Sequence, residues 1–227
     1  MSTVGSYRGP NIVTRGLVLH LDAASPNSYY SPNGGTVWKD VSGNGNDGTL
    51  VNSPSYSEHT SKRFQFDGTN TKVSINSDAG VLLENEMSAD IWFNLASYST
   101  VLAGDIFYND GGYVLFVGSS TQVATSFHST AAADIPQTTG GSISLNTWTN
   151  LAMVRDGITV EWYQNGVSIG TDTDPGGYML ITTVGGFRIR TQYRTDGDIA
   201  SFRVYNRALT AQEVLQNFNS TKDRFGL

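Results

Sequence analysis

Short runs of β-branched and aromatic residues recur along the chain at 17–21, 63–66, 72–75, 87–95, 113–117, 123–127, 149–155, 159–164, 187–191 and 199–205. Gly, Asn, Asp or Ser separates nearly all of them, and runs of this length between turn formers read as strands. Asp156-Gly157 and Asn165-Gly166 flank the run ITVEWYQ, and both dipeptides suit two-residue hairpin turns. They predict an antiparallel meander of three strands between Trp148 and Gly170. Within it Val160, Trp162 and Gln164 alternate with Thr159, Glu161 and Tyr163, so one face is drier than the other. A sandwich of two sheets is the natural way to bury such faces.

The helical period appears at the end of the chain. Thr210 followed by Glu213 is a capping box, and Val214, Leu215 and Phe218 form an apolar stripe through AQEVLQNFN. The short helix is expected to cover one end of the sandwich. Beyond it TKDRFGL stays polar until Phe225 and Leu227, a terminal apolar plug. At the other end MSTVGSYRGPNIVTR has little periodicity and a Gly-Pro break, and is expected to lie over a neighbour or to be loosely held. The division is an arm at 1–15, a sandwich at 16–218 and a tail at 219–227.

Composition narrows the function classes. The 227 residues carry 14 Lys+Arg against 20 Asp+Glu, a net charge of −6, which argues against nucleic-acid binding because phosphate neutralisation needs clustered cations. Charged residues make up 15%, and the difference from ordinary proteins is filled by Ser, Thr, Asn and 25 Gly. Cysteine is absent, which excludes disulfides, thiolate metal sites and a cysteine nucleophile. His20 and Asp22 interrupt the apolar run near the start, so neither an ordinary signal peptide nor a membrane helix is expected there or elsewhere. The cytosol suits such a chain, as does a particle assembled there and exposed later.

Six ordered blocks carry a family resemblance: GLVLHLDA (16–23), WKDVSGNGNDGTL (38–50), FQFDGTNTKV (64–73), MSADIWFNL (87–95), WTNLAMVRDGITVEWYQNGVSIG (148–170) and GDIASFRVYNRALTAQEV (197–214). They resemble concanavalin A-like lectin/glucanase domains, and more narrowly the laminin-G-like jelly rolls of tailed-phage virion proteins. The ending NFNSTKDRFGL is similar to the close of several such phage proteins. The resemblance implies an all-β, concanavalin A-like jelly-roll sandwich of two antiparallel sheets with a short C-terminal helix. It also implies that the first strand pairs with the last, 17–21 near 199–205.

The densest local chemistry is DVSGNGNDG. Asp40, Ser42 and Asn44 stand two apart with Gly45 following, like the first half of a calcium loop, but the position of the bidentate Glu is Val51. A calcium hand is excluded, and two readings stay open. One is a structural Ca2+ held by Asp40, Asn44 and Asp47, since related jelly rolls hold calcium in loops of this kind. The other is a tight loop closed by Asx turns. Gly43, Gly45 and Gly48 spell a dinucleotide fingerprint, yet TLV follows where a helix is required.

Catalytic constellations are sparse. Glu84 and Glu86 read as loop acids before a strand, and Asp196 and Asp198 as turn acids around Gly197; the E-x-D-x-x-E string of glucanases with the resembling fold is missing. None of His20, His59 and His128 has metal-ligand spacing to another, and no G-x-S-x-G elbow occurs. Trp92, Trp148 and Trp162 read as core or near-core residues. Tyr29, Tyr30, Tyr98, Tyr108, Tyr113, Tyr178 and Tyr193 lie in or beside loops, where tyrosine suits sugar stacking or protein contact; Tyr108, Tyr113, Tyr178 and Tyr193 are the contact candidates.

These readings converge on a non-enzymatic structural protein of a phage virion, in capsid decoration or a fibre, assembled in the host cytoplasm with other virion proteins and with copies of itself. The alternative is a glycan-binding adhesin attaching the particle to host or environmental polysaccharide. A glycoside hydrolase built on Glu161 is the third reading, and a lone carboxylate lacks the second one that hydrolysis requires.

Overall fold

The computed structural model describes residues 11–30, 35–59, 61–75, 81–83, 86–98, 100–104, 114–119, 122–125, 137–139, 141–173, 179–181, 183–184 and 195–227. In chain order the strands begin with β1 (Leu17–Asp22), β2 (Val37–Trp38), β3 (Gly48–Val51), β4 (Ser55–Ser57), β5 (Arg63–Asp67) and β6 (Lys72–Ile75). They continue with β7 (Val81–Leu83), β8 (Glu86–Leu95), β9 (Thr100–Gly104), β10 (Val114–Ser119), β11 (Gln122–Thr125) and β12 (Gln137–Thr139). The last six are β13 (Thr149–Asp156), β14 (Thr159–Gln164), β15 (Val167–Thr173), β16 (Met179–Ile181), β17 (Thr183–Val184) and β18 (Asp196–Tyr205). Helix α1 (Ala211–Asn219) and a 3-10 turn over Lys222–Phe225 follow.

Two antiparallel sheets of eight strands enclose the core. The first runs β15-β14-β13-β8-β18-β5-β4 with β1 also on β18, and the second runs β12-β11-β10-β9-β17-β6-β3-β2. The expected pairing of first and last strands is present, with Leu17 opposite Tyr205 and Leu21 opposite Phe202. Strand alternation sends Met87, Ala89, Ile91, Phe93 and Leu95 of β8 inward, where they meet Leu50, Val73, Ile75 and Val117 of the second sheet. Each large apolar side chain buried this way stabilises the fold by about 1.5–3 kcal/mol. Ile199 and Phe202 both reach this core although three residues apart, because the β8–β18 register slips between Ile199 and Ser201.

The meander follows its turn chemistry with one displacement. Asn165 and Gly166 both adopt positive φ, 52° and 78°, and join β14 to β15 as a two-residue hairpin. The preceding turn is instead made by Gly157 and Ile158, because Asp156 stays in β13 opposite Thr159.

A second apolar layer coats the outside of the first sheet, and this relocates the helix. Ala152, Val154, Tyr163 and Tyr205 point away from the core and are buried under Val13, Leu209 and Val214. Helix α1 thus covers a face of the sheet, not an end of the sandwich, since that face is itself apolar. The capping box forms as expected, with the Glu213 N–H donating to Thr210 Oγ1 (3.2 Å) and the Thr210 N–H to Glu213 Oε2 (2.9 Å). The buried stripe differs: Val214, Asn217 and Phe218 face inward, while Leu215 is 42% exposed. Asn217 earns its buried place by hydrogen bonding. Its Oδ1 accepts from the Val13 N–H (2.9 Å), its Nδ2 donates to Tyr205 Oη (3.0 Å), and the Tyr205 hydroxyl donates to Val13 O (3.0 Å).

That triangle lays Val13, within the segment read as an arm, on the chain's own sheet. The plug also forms in part: Phe225 is buried against Trp92, with ring centroids 4.0 Å apart, while Leu227 is 46% exposed. No helix among the described residues is long and apolar enough to cross a membrane.

Candidate functional site

Where the β13–β14 hairpin meets the start of α1, the outer face of the first sheet opens into a cleft of about 370 Å³. Period-two alternation builds its base. Val154 pairs with Glu161 and Asp156 with Thr159 across the hairpin, so Val154, Asp156, Thr159, Glu161 and Tyr163 share one face. The segment that closes β18 and starts the helix supplies the opposite wall through Leu209 and Thr210.

Glu161 is held in place. Ser168 Oγ on β15 donates to its Oε1 at 2.6 Å, and Tyr163 lies beside it on the same face of β14. Tyr163 is only 3% exposed, and burial first, then Glu161, pushes its phenol well above the ordinary range. Glu161 thus faces the outer cleft, with Asp156 diagonal to it across the hairpin. Asp156, Thr210 and the helix wall were missed by sequence reasoning. Alternation could place Asp156 on the face of Glu161, but nothing local indicates that a helix beginning at Ala211 stands opposite.

The Asp40 loop is stitched to β1. Asp40 Oδ1 accepts from the His20 and Ser42 N–H groups, both at 2.8 Å, and Oδ2 accepts from Ser42 Oγ (2.8 Å) and the Asn46 N–H (3.0 Å). Asp47 Oδ1 accepts the Asp40 N–H (2.9 Å), while Asn44 Nδ2 donates to Leu17 O (3.1 Å). The loop brings Asp40 and Asp47 together but spends Asp40 on four donors, and the Asn44 amide nitrogen donates to Ser42 Oγ (2.9 Å) as well as to Leu17 O. In this arrangement the three residues do not fit a hard cation, and among the described residues no group of three or more carboxylates and imidazoles gathers. The arrangement is that of Asx turns. Gly48 opens strand β3, so the glycine fingerprint lacks its helix.

The remaining acids and aromatics separate in space. Asp196 and Asp198 lie in β18 and not in a turn, because Gly197 lets the strand approach β8: a Cβ there would stand 2.3 Å from Asn94 O. Asp198 is paired with Arg63 at 2.8 Å, and burial raises its carboxyl against the opposing pull of that arginine. Glu86 is the exposed first residue of β8, and Glu84 lies outside the described residues. Tyr108, Tyr113, Tyr178 and Tyr193 likewise lie outside them. Tyr29 packs on Phe64 (4.7 Å) and the Tyr98 hydroxyl donates to Ile143 O (2.8 Å), so both serve the fold. Trp92 and Trp162 are buried and Trp148 packs on Phe225, as expected.

His20 stands opposite Arg203 in the β1–β18 pair, and burial first, then Arg203, lowers it from 6.5 to about 4. The folded chain resists a proton that the unfolded chain accepts, so its contribution is complete above 6.5 and is lost as pH falls towards 4. Wild-type protein should lose up to about 3 kcal/mol across that window, read by urea unfolding. A His20→Gln variant should lose correspondingly less; equal losses would show that other groups carry the pH dependence.

Domain 4 of AbnA, a GH43 extracellular arabinanase from Geobacillus stearothermophilus solved in complex with arabinotriose, superposes with a TM-score of 0.68 at 21% identity over 89% of this chain and 98% of that domain. Trypanosoma rangeli sialidase in complex with sialic acid gives 0.64 at 16% identity, over 92% of this chain but 33% of the sialidase. The binding domain of Paraclostridial Mosquitocidal Protein 1 gives 0.62 at 15%, over 90% of this chain and 52% of that one. The chain therefore spans about a third of the sialidase and about half of the mosquitocidal binding domain. At these identities the likeness is one of fold. A search of curated proteins finds no sequence match. The sequence model of the concanavalin A-like lectin/glucanases superfamily matches residues 67–215, from the end of β5 into α1, and the chain belongs to that superfamily.

Proposed function

We propose that the chain is a non-catalytic carbohydrate-recognition module. The observation that carries this reading is the end-to-end match to a discrete arabinanase domain captured with arabinotriose, in which this chain accounts for 98% of the partner domain. The match to the sialidase extends over a third of that enzyme, so the whole enzyme's activity does not carry over to this chain. On a glycan array the protein should retain at least one oligosaccharide class, arabino-oligosaccharides included, without releasing reducing sugar from it. Release that a Glu161→Gln variant abolishes would establish a hydrolase instead.

A structural role in a tailed-phage virion is the second reading, favoured by the six ordered blocks and the NFNSTKDRFGL ending. In that setting the module would be displayed on the particle, assembled with other virion proteins and with its own copies. Failure to retain any glycan, together with co-sedimentation of the chain with phage particles, would leave this role in place of recognition.

A further inference from the structure

Resting on the carbohydrate reading, we propose that the cleft between the β13–β14 hairpin and α1 is the sugar-contacting site and that it selects neutral over acidic sugars. Its volume of about 370 Å³ falls in the range of small-molecule sites. Its lining divides into two kinds. Val154 in the base and Ala208, Leu209 and Ala211 in the opposite wall are its apolar members, the kind of surface that suits the C–H faces of a pyranose or furanose ring. Asp156, Glu161 and the hydroxyls of Thr159 and Thr210 give an oxygen-rich rim.

A sugar presents adjacent hydroxyl groups, and an ionised carboxylate only accepts, so a pair of hydroxyl donors is its natural partner. Ser168 already bonds the Glu161 carboxylate, so it loses little conformational freedom when a ligand arrives. Each carboxylate oxygen has two acceptor positions, which leaves room for ligand hydroxyls beside that donor.

Selectivity follows from charge. Both titratable carboxyl groups lining the cleft are acidic, and among the described residues no Lys or Arg lines it. Arg207, just before that wall, is forked onto Glu213 at 2.8 and 2.6 Å and also donates to Arg15 O. A uronate or sialate carboxylate would therefore meet like charge with no counter-ion, on a chain whose net charge is −6.

Calorimetric titration of the full chain with arabinotriose and with a galacturonate trimer, beside the double variant Asp156→Asn/Glu161→Gln, tests the assignment. The amide replacements keep size, and the amide oxygen introduced by Glu161→Gln can still accept from Ser168; circular dichroism checks that the variant folds. Wild type should bind the neutral trimer and not the uronate, and the double variant should lose about tenfold in affinity. NMR titration should place the largest amide shifts at Thr159, Glu161 and Ala211. Binding that the variant leaves unchanged, with shifts elsewhere, overturns the site while the recognition reading stands. Preference for the uronate overturns the selectivity. No binding of either probe, or of any sugar on the array, overturns the recognition reading and the site with it.

Discussion

Replacing Arg203 with alanine should lower the unfolding free energy by about 3–5 kcal/mol, because it strands a buried carboxylate. Arg203 and Asp90 are 0% and 1% exposed at the side chain and lie 3.2 Å apart on neighbouring strands of the first sheet, under the C-terminal segment. Asn150 Nδ2 donates to the same Asp90 oxygen at 3.0 Å. Burial already raises the Asp90 carboxyl, and Arg203 is the main influence opposing it. Without the guanidinium Asp90 must ionise unpaired or take up a proton, so the loss is largest at neutral pH and shrinks in acid, where the protonated form is accommodated. A double variant, Asp90→Leu with Arg203→Met, should recover most of the stability, because it removes both charges and fills their volume. Urea unfolding of the two variants decides the matter: a double variant as weak as the single one would mean that the pair acts through packing and not through charge.

Phe225→Ala should cost about 3 kcal/mol although it lies only two residues from the last residue of the sequence. Its ring stacks on Trp92 at 4.0 Å and touches Trp148 at 4.7 Å, closing the outer cluster that also holds Ala200 and Phe218. The segment is anchored on both sides. The Trp92 indole donates to Thr221 Oγ1 (2.9 Å), and Arg224 reaches Asp22 (2.6 Å), Ala200 O (3.3 Å) and Lys62 O. Removing the ring should shift tryptophan fluorescence to the red as water reaches Trp92, whereas Leu227→Ala, at an exposed position, should leave both stability and emission unchanged. Unaltered emission in Phe225→Ala would show that the tail does not shield that tryptophan.

Much of the fold was legible because its signals are local. The Asn165-Gly166 turn, the alternation through β14 and the Thr210–Glu213 box each depend on neighbours within a few residues, and each appears where it was read. The displaced first hairpin shows where local reading stops: Asp156-Gly157 has the right chemistry, but pairing of Asp156 with Glu86 and Thr159 moved the turn by one residue. The same limit applied to Leu215. The helical stripe counted it as apolar, whereas the sheet beneath demanded Asn217 to satisfy Val13 and Tyr205.

The candidate site was legible only in fragments. Glu161 stood out as a strand carboxylate, but its cleft requires the chain to return after Tyr205 and lay a helix across the hairpin's outer face, a contact between segments some fifty residues apart. The Asp40 loop went the other way: its spacing allowed both a cation and Asx turns, and the docking of Ser42, Asn44 and Asn46 onto the Leu17 and Val18 carbonyls of β1 is a long-range relation that no local window shows. By itself, then, the amino-acid sequence determined the all-β class, the turns, the helix cap and the superfamily, because periodicity and capping are written within short windows. Only the tertiary structure decided that the first sheet is buried on both faces, that Asp90 and Arg203 meet beneath the tail, and that Asp156 and Glu161 share a cleft with Thr210, because those relations arise when distant strands and the terminal helix compete to bury the same surface.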